Sequence, residues 1–292
     1  MRLTSLRIGD EEVAGLVGSA GAVPLPALND AFGTTWPVTI QTLLETEQLD
    51  PFRHWVGTRD VDASMKLDSL VLASDTLSYA PLYRRPRKIW GIGLNYVEHA
   101  ADLSEQAPST EPASFMKPDT TIIGPGDTIQ IPAQSRRTTA EAELGVVIGT
   151  TCKDISEAAA HRVVAGFTTI IDMTAEDILA LNPRYLTRSK SFDTFFSFGP
   201  ELVTVDEVAD IDALEVTTAI NGVTHRSNVV SNMTFRPWWL VSFHSKVMTL
   251  LPGDIISTGT PGAAVIRPGD VATCHITGFR SLSNPVGEAV HS

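Results

Sequence analysis

The sequence predicts a strand-rich α+β protein, with a large rolled or sandwich-like β region, a few covering helices and a small N-terminal α/β unit. Three observations predict it. First, 18 prolines and 21 glycines are spread along the whole chain, which divides it into short segments joined by turns. Second, strand patterns outnumber helical ones after about residue 86, and Asn221-Gly222 between LEVTTAI and VTHRSN is a two-residue hairpin signal. Third, a hydrophobic content of 43% gives the 292 residues a full core. That length exceeds the usual single domain, so the chain is expected to divide into a small domain, residues 1–83, and a larger one, residues 84–292.

In chain order, LTSLRIG and EEVAGLVG read as short alternating runs and TIQTLLETEQL as a helix. PLYRRPRK, with Pro81 and Pro86 among its bases, reads as a linker, because proline disfavours helix at and just before itself. The strand KIWGIG leads into NYVEHAADLSEQ, a short helix starting near Asn95, with no third glycine to complete a dinucleotide-binding loop. IIGPGDTIQIP is turn then strand, TTAEAELGVVIG a strand, SEAAAHRVVA a helix and AGFTTIIDM a strand. In DMTAEDIL, Thr174 precedes Asp177 by three. That near capping box predicts a helix beginning just after Asp172 and places Asp172 at a strand end. PWWLVSFHSKVMTL is a helix, and PGDIISTGTPG is a turn, a strand and a turn.

A formal net charge of -12 opposes attraction to phosphate backbones or anionic lipid, so nucleic acid and membrane surfaces are not expected as partners. The two cysteines, Cys152 and Cys274, lie far apart without metal-ligand spacing and read as small buried hydrophobes. No basic stretch followed by an apolar one opens the chain, and no run approaches the roughly 18 apolar residues of a membrane span. The expectation is a soluble cytoplasmic protein.

The chemically pointed feature is the glutamate strand, residues 138–149. Alternation puts Glu141, Glu143, Gly145 and Val147 on one face and Ala142, Leu144, Val146 and Ile148 on the other. The second face is core. Two carboxylates roughly 6–7 Å apart beside an apolar run repel each other and lose hydration unless a cation lies between them. Asp172 offers a third ligand, and three carboxylates suit Mg²⁺, Mn²⁺ or Ca²⁺ better than zinc. The same residues also fit exposed glutamates on an edge strand and an aspartate that only caps a helix. His99 and Asp102, three apart on the expected helix, fit a carboxylate-oriented general base and equally an ordinary surface pair. His244 and His275 lack partner histidines and read as packed or surface residues. Ser191 and Ser231 sit in no GxSxG elbow.

Several stretches together resemble the fumarylacetoacetate hydrolase family in its bacterial-type form. They are GLNYVEHA, FMKP, EAELGVVIG, the strand ending at Asp172, KSFDTFFSFGP, Asn221-Gly222 and PGDIISTGTP, in family order between about 86 and 286. The resemblance implies a mixed β-roll catalytic domain, commonly homodimeric. It implies one Mg²⁺ or Mn²⁺, with Ca²⁺ as a crystal substitute, on Glu141, Glu143 and Asp172. It further implies His99 as base helped by Asp102, Lys190 beside metal and substrate, and Thr260 on a substrate carboxylate or carbonyl. Tyr96 and Lys117 are further substrate-site candidates, each with a plain alternative as a packed aromatic and a surface charge.

The expected activity is hydrolysis of a C–C bond in an acylpyruvate-like or fumarylpyruvate-like 2,4-dioxo acid through a metal-stabilised enolate. The alternatives are decarboxylation or keto-enol isomerisation of an oxo-dicarboxylic acid, of the oxaloacetate or 2-hydroxyhepta-2,4-dienedioate type, and a non-catalytic metal-stabilised binding protein. Three departures bear on the pocket. Thr139-Ala140 precede Glu141 in place of an Asp-aromatic pair, TAEDIL replaces SARDxQ and so puts Glu176 and Leu179 where arginine and glutamine are common, and GAAVIRPGD follows TGTP without GVG.

Overall fold

The computed structural model describes residues 1–58, 67–96 and 110–288. Among these, 13 strands form one mixed sheet and five a second. The glutamate strand, Thr138–Ile148, and the aspartate strand, Val164–Ala175, run antiparallel at the centre of the first sheet, and every residue of both is buried. Near-continuous apolar composition accounts for this, because strands covered on both faces need not alternate. Two expectations change here. The glutamates lie on a central strand, not an edge, and the face that carries them is as buried as the other.

On one side the aspartate strand pairs with Glu201–Thr204, which pairs with Arg2–Ile8 of the N-terminal hairpin. On the other side the glutamate strand pairs with Ile255–Ser257, followed by Ile89–Gly93 and Ala113–Lys117. The five-stranded sheet, ordered Val223–Val229, Glu215–Ile220, Val271–Ile276, Leu282–Glu288 and Ile129–Ile131, shares a core with Ala140, Ala142, Leu144 and Val146. On the opposite face, Val147 and Ile170 share a second core with Leu3, Leu25, Leu28 and Phe52 of the N-terminal region. The strand-rich α+β class predicted from the sequence is the observed one, and the sheet continues across position 83 through the Leu3↔Leu202 pairing.

Local details depart from expectation for identifiable reasons. The helix expected over TIQTLLETEQL is two helices, Ile40–Glu45 and Leu49–Gly57, separated where Glu47 takes φ 55, a left-handed conformation that ends a helix. Residues 81–88 form no regular element, yet Leu82 and Tyr83 are buried. SEAAAHRVVA forms a 3₁₀ helix only over Glu157–Arg162, and Val164 already opens the aspartate strand. The Asn221-Gly222 hairpin forms as read, with φ 52 and φ 77, both positive as a type I′ turn requires. The helix expected from PWWLVSFHSKVMTL spans Pro237–Val247, with proline in its first turn. No helix among the described residues is long and apolar enough to cross a membrane.

Candidate metal centre

Register builds the site. Asp172 lies directly opposite Glu141, and Ile170 opposite Glu143. Residues facing one another across an antiparallel pair share a face, and so do i and i+2 on one strand. Glu141, Glu143 and Asp172 therefore converge, with one ligand oxygen from each, all within 4.8 Å of one another, in buried surroundings. The helix expected just after Asp172 starts at Glu176 instead, because the strand runs on to Ala175. Thr174, expected as a cap, stays in that strand and donates its hydroxyl to Glu141 Oε1 at 2.6 Å.

Lys117 comes from the far end of the same sheet. Four strand steps separate its strand from the aspartate strand, about 19 Å if the sheet were flat. Nevertheless Lys117 Nζ lies 2.5 Å from Asp172 Oδ1, so the sheet must curl until its strands face one another. Lys190, at the end of the short helix Leu186–Lys190, places Nζ 2.9 Å from Glu141 Oε2 and 2.8 Å from Asp172 Oδ2. Its ammonium also sits 4.9 Å from the centroid of the Phe115 ring, within cation–π range. A divalent ion that took both of those carboxylate oxygens would have to displace Lys190 from at least one of them.

Electrostatics follow from burial. Desolvation, reinforced by the Asp172 charge and opposed by Lys190, pushes the Glu143 carboxyl up to about 8. Burial alone would lower Lys190, but the charges of Asp172, Glu141 and Glu143 hold it well above the usual lysine range. Lys117 is lowered, chiefly by burial, with Asp172 partly offsetting the loss. Glu143 Oε2 accepts from Ser257 Oγ at 2.6 Å and from the Gly259 amide at 2.8 Å. Those donors are available because the neighbour of the glutamate strand changes from Ile255–Ser257 to Ala263–Ile266 beside Glu143, and the STGTPG turn loops out between them. Hard oxygen donors, buried and oriented by outer hydrogen bonds, fit Mg²⁺ or Mn²⁺.

The structure thus brings together Glu141, Glu143, Asp172, Lys117 and Lys190. Thr260 is buried in the same turn, its hydroxyl 3.2 Å from both the amide and the carbonyl of Gly262. Tyr96 is fully buried in the larger core. His99 and Asp102 lie outside the described residues. His244 is packed as read: its Nδ1 is 2.8 Å from the Leu240 carbonyl, which can only accept, so Nε2 accepts from Ser114 Oγ at 2.8 Å. Burial lowers its pKa. His275 is exposed and pairs with Ser281. Sequence reasoning missed Phe115, Thr174, Ser257 and Gly259. A signal for some of them was present, in polar residues clustered inside an apolar strand-turn stretch such as STGT.

Residues 88–287 match the family described as fumarylacetoacetate (FAA) hydrolase C-terminal. The Xenopus laevis mitochondrial oxaloacetate tautomerase is 37% identical over 225 residues, 74% of this chain and 70% of that protein. The crystal structure of 5-carboxymethyl-2-hydroxymuconate delta-isomerase from Mycobacterium smegmatis is 28% identical, aligns over 100% of both chains and gives a TM-score of 0.76. That of maleylpyruvate hydrolase from Sphingobium sp. SYK-6, in complex with manganese(II) ion and pyruvate, is 27% identical, covers 99% of this chain and 100% of its own, and gives 0.78. With its matched region spanning most of the length and its acidic triad on a curled central sheet, the chain belongs to the fumarylacetoacetate hydrolase family.

Proposed function

We propose that this protein is a Mg²⁺- or Mn²⁺-dependent enzyme that hydrolyses a C–C bond in an acylpyruvate-like or fumarylpyruvate-like 2,4-dioxo acid. The observation that carries the proposal is the buried convergence of Glu141, Glu143 and Asp172 beneath two lysines. The three carboxylates would hold the ion. When bound, it supplies Lewis-acid withdrawal of charge from the oxygens of a chelated 2-oxo acid. With all three carboxylates ionised around a dication, three negative charges would face two ammonium groups and the ion, an excess of one positive charge that favours an anionic ligand. Lys117 and Lys190 would present cations to that ligand, with Thr260 as a further contact.

His99, oriented by Asp102, would take a proton from water, and the resulting hydroxide would add to the carbonyl remote from the carboxylate. The bond from that carbonyl carbon to the adjacent methylene then breaks. The electron pair passes into the 2-oxo group, and reprotonation of the methylene completes the pyruvate product. A homodimer in the cytoplasm is part of the same proposal.

A second activity is favoured by specific observations. An isomerase and a tautomerase stand among the similar proteins, and Glu176, at a position where arginine is common in the family, is held in an ion pair with Arg137. Tautomerisation of an oxo-dicarboxylic acid needs the same carboxylate-held ion but no attacking water. The test is to give the Mn²⁺-loaded protein acetylpyruvate and oxaloacetate in separate reactions, following enol absorbance together with pyruvate, acetate and CO₂. Equimolar pyruvate and acetate from acetylpyruvate is the expected result. Loss of enol absorbance from oxaloacetate without any bond cleavage would transfer the assignment to a tautomerase, and CO₂ release to a decarboxylase.

A further inference from the structure

Asn95 carries none of the roles assigned so far, yet it is 1% exposed and fully engaged by hydrogen bonds. Its backbone carbonyl accepts from the Thr234 amide at 2.8 Å, and Oδ1 accepts from the Phe235 amide at 2.8 Å. Nδ2 donates both protons, to the Phe235 carbonyl at 2.9 Å and the Thr258 carbonyl at 2.7 Å. The last of these matters most. The Thr258 carbonyl and the Gly259 amide are two ends of one peptide group, which is planar and trans, so they point in opposite directions. At the far end of that group the Gly259 N–H donates to Glu143 Oε2 at 2.8 Å. Asn95, one peptide and Glu143 therefore form a continuous donor-to-acceptor line, in which each bond polarises the next.

The contact admits no side chain. Gly259 has φ +97, and a Cβ on it would lie 2.8 Å from Asn95 Cβ and 2.9 Å from the Ile92 carbonyl oxygen. Glycine is required there so that the turn can lie flat against Asn95. The consequence reaches the acidic triad. With Ser257 Oγ also on Oε2 at 2.6 Å, that oxygen accepts from two donors, which engages both of its lone pairs and leaves Oε1 as the oxygen Glu143 has to offer a cation.

We infer that Asn95 is a positioning residue that aims the Thr258–Gly259 peptide at Glu143 and so fixes the oxygen Glu143 offers to a divalent cation. The inference rests on the proposed metal site. Asn95 acts through the peptide without touching ion or substrate. It also stands four positions before His99 in the sequence, so the segment bearing the proposed base begins at the residue that steadies a ligand.

The experiment compares Mn²⁺ affinity, by calorimetric titration, for wild type, Asn95→Ala and Asn95→Asp, with Ser242→Ala as control. Ser242 donates to the Ile155 carbonyl at 2.8 Å and has no contact with the triad, so its loss reports what removing any buried hydrogen bond does. Asn95→Asp keeps the size but sets a carboxylate oxygen against two carbonyls. Both Asn95 variants are expected to bind Mn²⁺ about tenfold more weakly, the low end for loss of an outer partner of a metal ligand, while the control stays within about twofold.

A second measurement needs no variant. In wild type titrated with Mg²⁺, the Asn95 side-chain amide and Gly259 backbone amide resonances should shift together along one isotherm, while the side-chain amide of Asn29, bonded to Trp36, stays in place. Unchanged affinity in folded Asn95 variants overturns the inference, as does a static Asn95 resonance while Mg²⁺ binds. Should wild type bind neither ion, the metal site itself fails and the inference falls with it, an outcome distinguishable because every protein in the series would then be silent.

Discussion

Lys190 makes the metal-free centre tolerable. Its ammonium bridges Glu141 and Asp172, is 5% exposed and rests on the Phe115 ring, so three clustered carboxylates have a resident counter-charge when no dication is present. Removing one partner of a buried ion pair usually costs about 3–5 kcal/mol, because the remaining charges are left buried and uncompensated. Lys190→Met should therefore lower the stability of metal-free protein by about that much in urea denaturation. If Lys190 stands in for a cation, the variant should also bind Mg²⁺ or Mn²⁺ more tightly than wild type does, so the loss should be smaller at a fixed saturating ion concentration than without the ion. A loss that is equally large with and without the ions would show that Lys190 is not standing in for a cation. This part of the site was only half legible in the sequence. The i, i+2 glutamates follow from strand alternation alone, whereas the company Lys190 keeps depends on a chain reversal between residues 176 and 190 that no local pattern encodes.

Among the elements, the centre is a product of the glutamate–aspartate ladder and of the curl that brings Ala113–Lys117 over it. The pair Gly91↔Phe115 makes that approach possible. A Cβ on Gly91 would lie 2.2 Å from the Phe115 ring, so the far end of the ring occupies the space a side chain there would need, while Lys190 Nζ sits 4.9 Å from the ring centroid. Gly91→Ala should destabilise by about 1–3 kcal/mol, the usual effect of overpacking. Phe115→Leu should have its own smaller effect, and in the double variant the clash disappears. The double-mutant cycle should show a coupling of at least about 0.5 kcal/mol in the rescuing direction, and strict additivity would mean that the two residues do not share that space. The hairpin at Asn221-Gly222 was legible because two positive φ values demand those residues. The end of the aspartate strand was not: Thr174 and Asp177 have the spacing of a cap, but in the fold Thr174 bonds Glu141, and Asp177 accepts from Ser135 and the Arg136 amide. Tertiary partners at the same residues outcompeted the local signal.

For the whole molecule, the question is what covers the rest of the sheet face that carries the centre. Glu141, Glu143, Gly145 and Val147 share one face of the sheet, and the part of that face holding Val147, Ile170, Phe196 and Ile255 is covered by Leu3, Leu25, Leu28, Leu43 and Phe52. Composition suggests a boundary at position 83, since two prolines and four bases look like a linker. Contacts that cross such a stretch through a curled sheet leave no trace in its composition. Residues 1–83 supply one strand to the edge of Glu201–Thr204 and much of the apolar cover on the sheet face that also carries the ligands. Deleting them would strip the pairing from that edge and bare a row of large side chains, both of which favour aggregation. A chain of residues 84–292 should therefore be insoluble, or soluble without a cooperative transition. The intact protein should unfold in a single calorimetric transition whose van't Hoff and calorimetric enthalpies agree, and Mn²⁺ should raise that one midpoint. Two transitions, only one of them sensitive to Mn²⁺, or a soluble 84–292 fragment with wild-type Mn²⁺ affinity, would instead establish that the metal centre stands on a self-sufficient domain and that the N-terminal layer is an accessory to it.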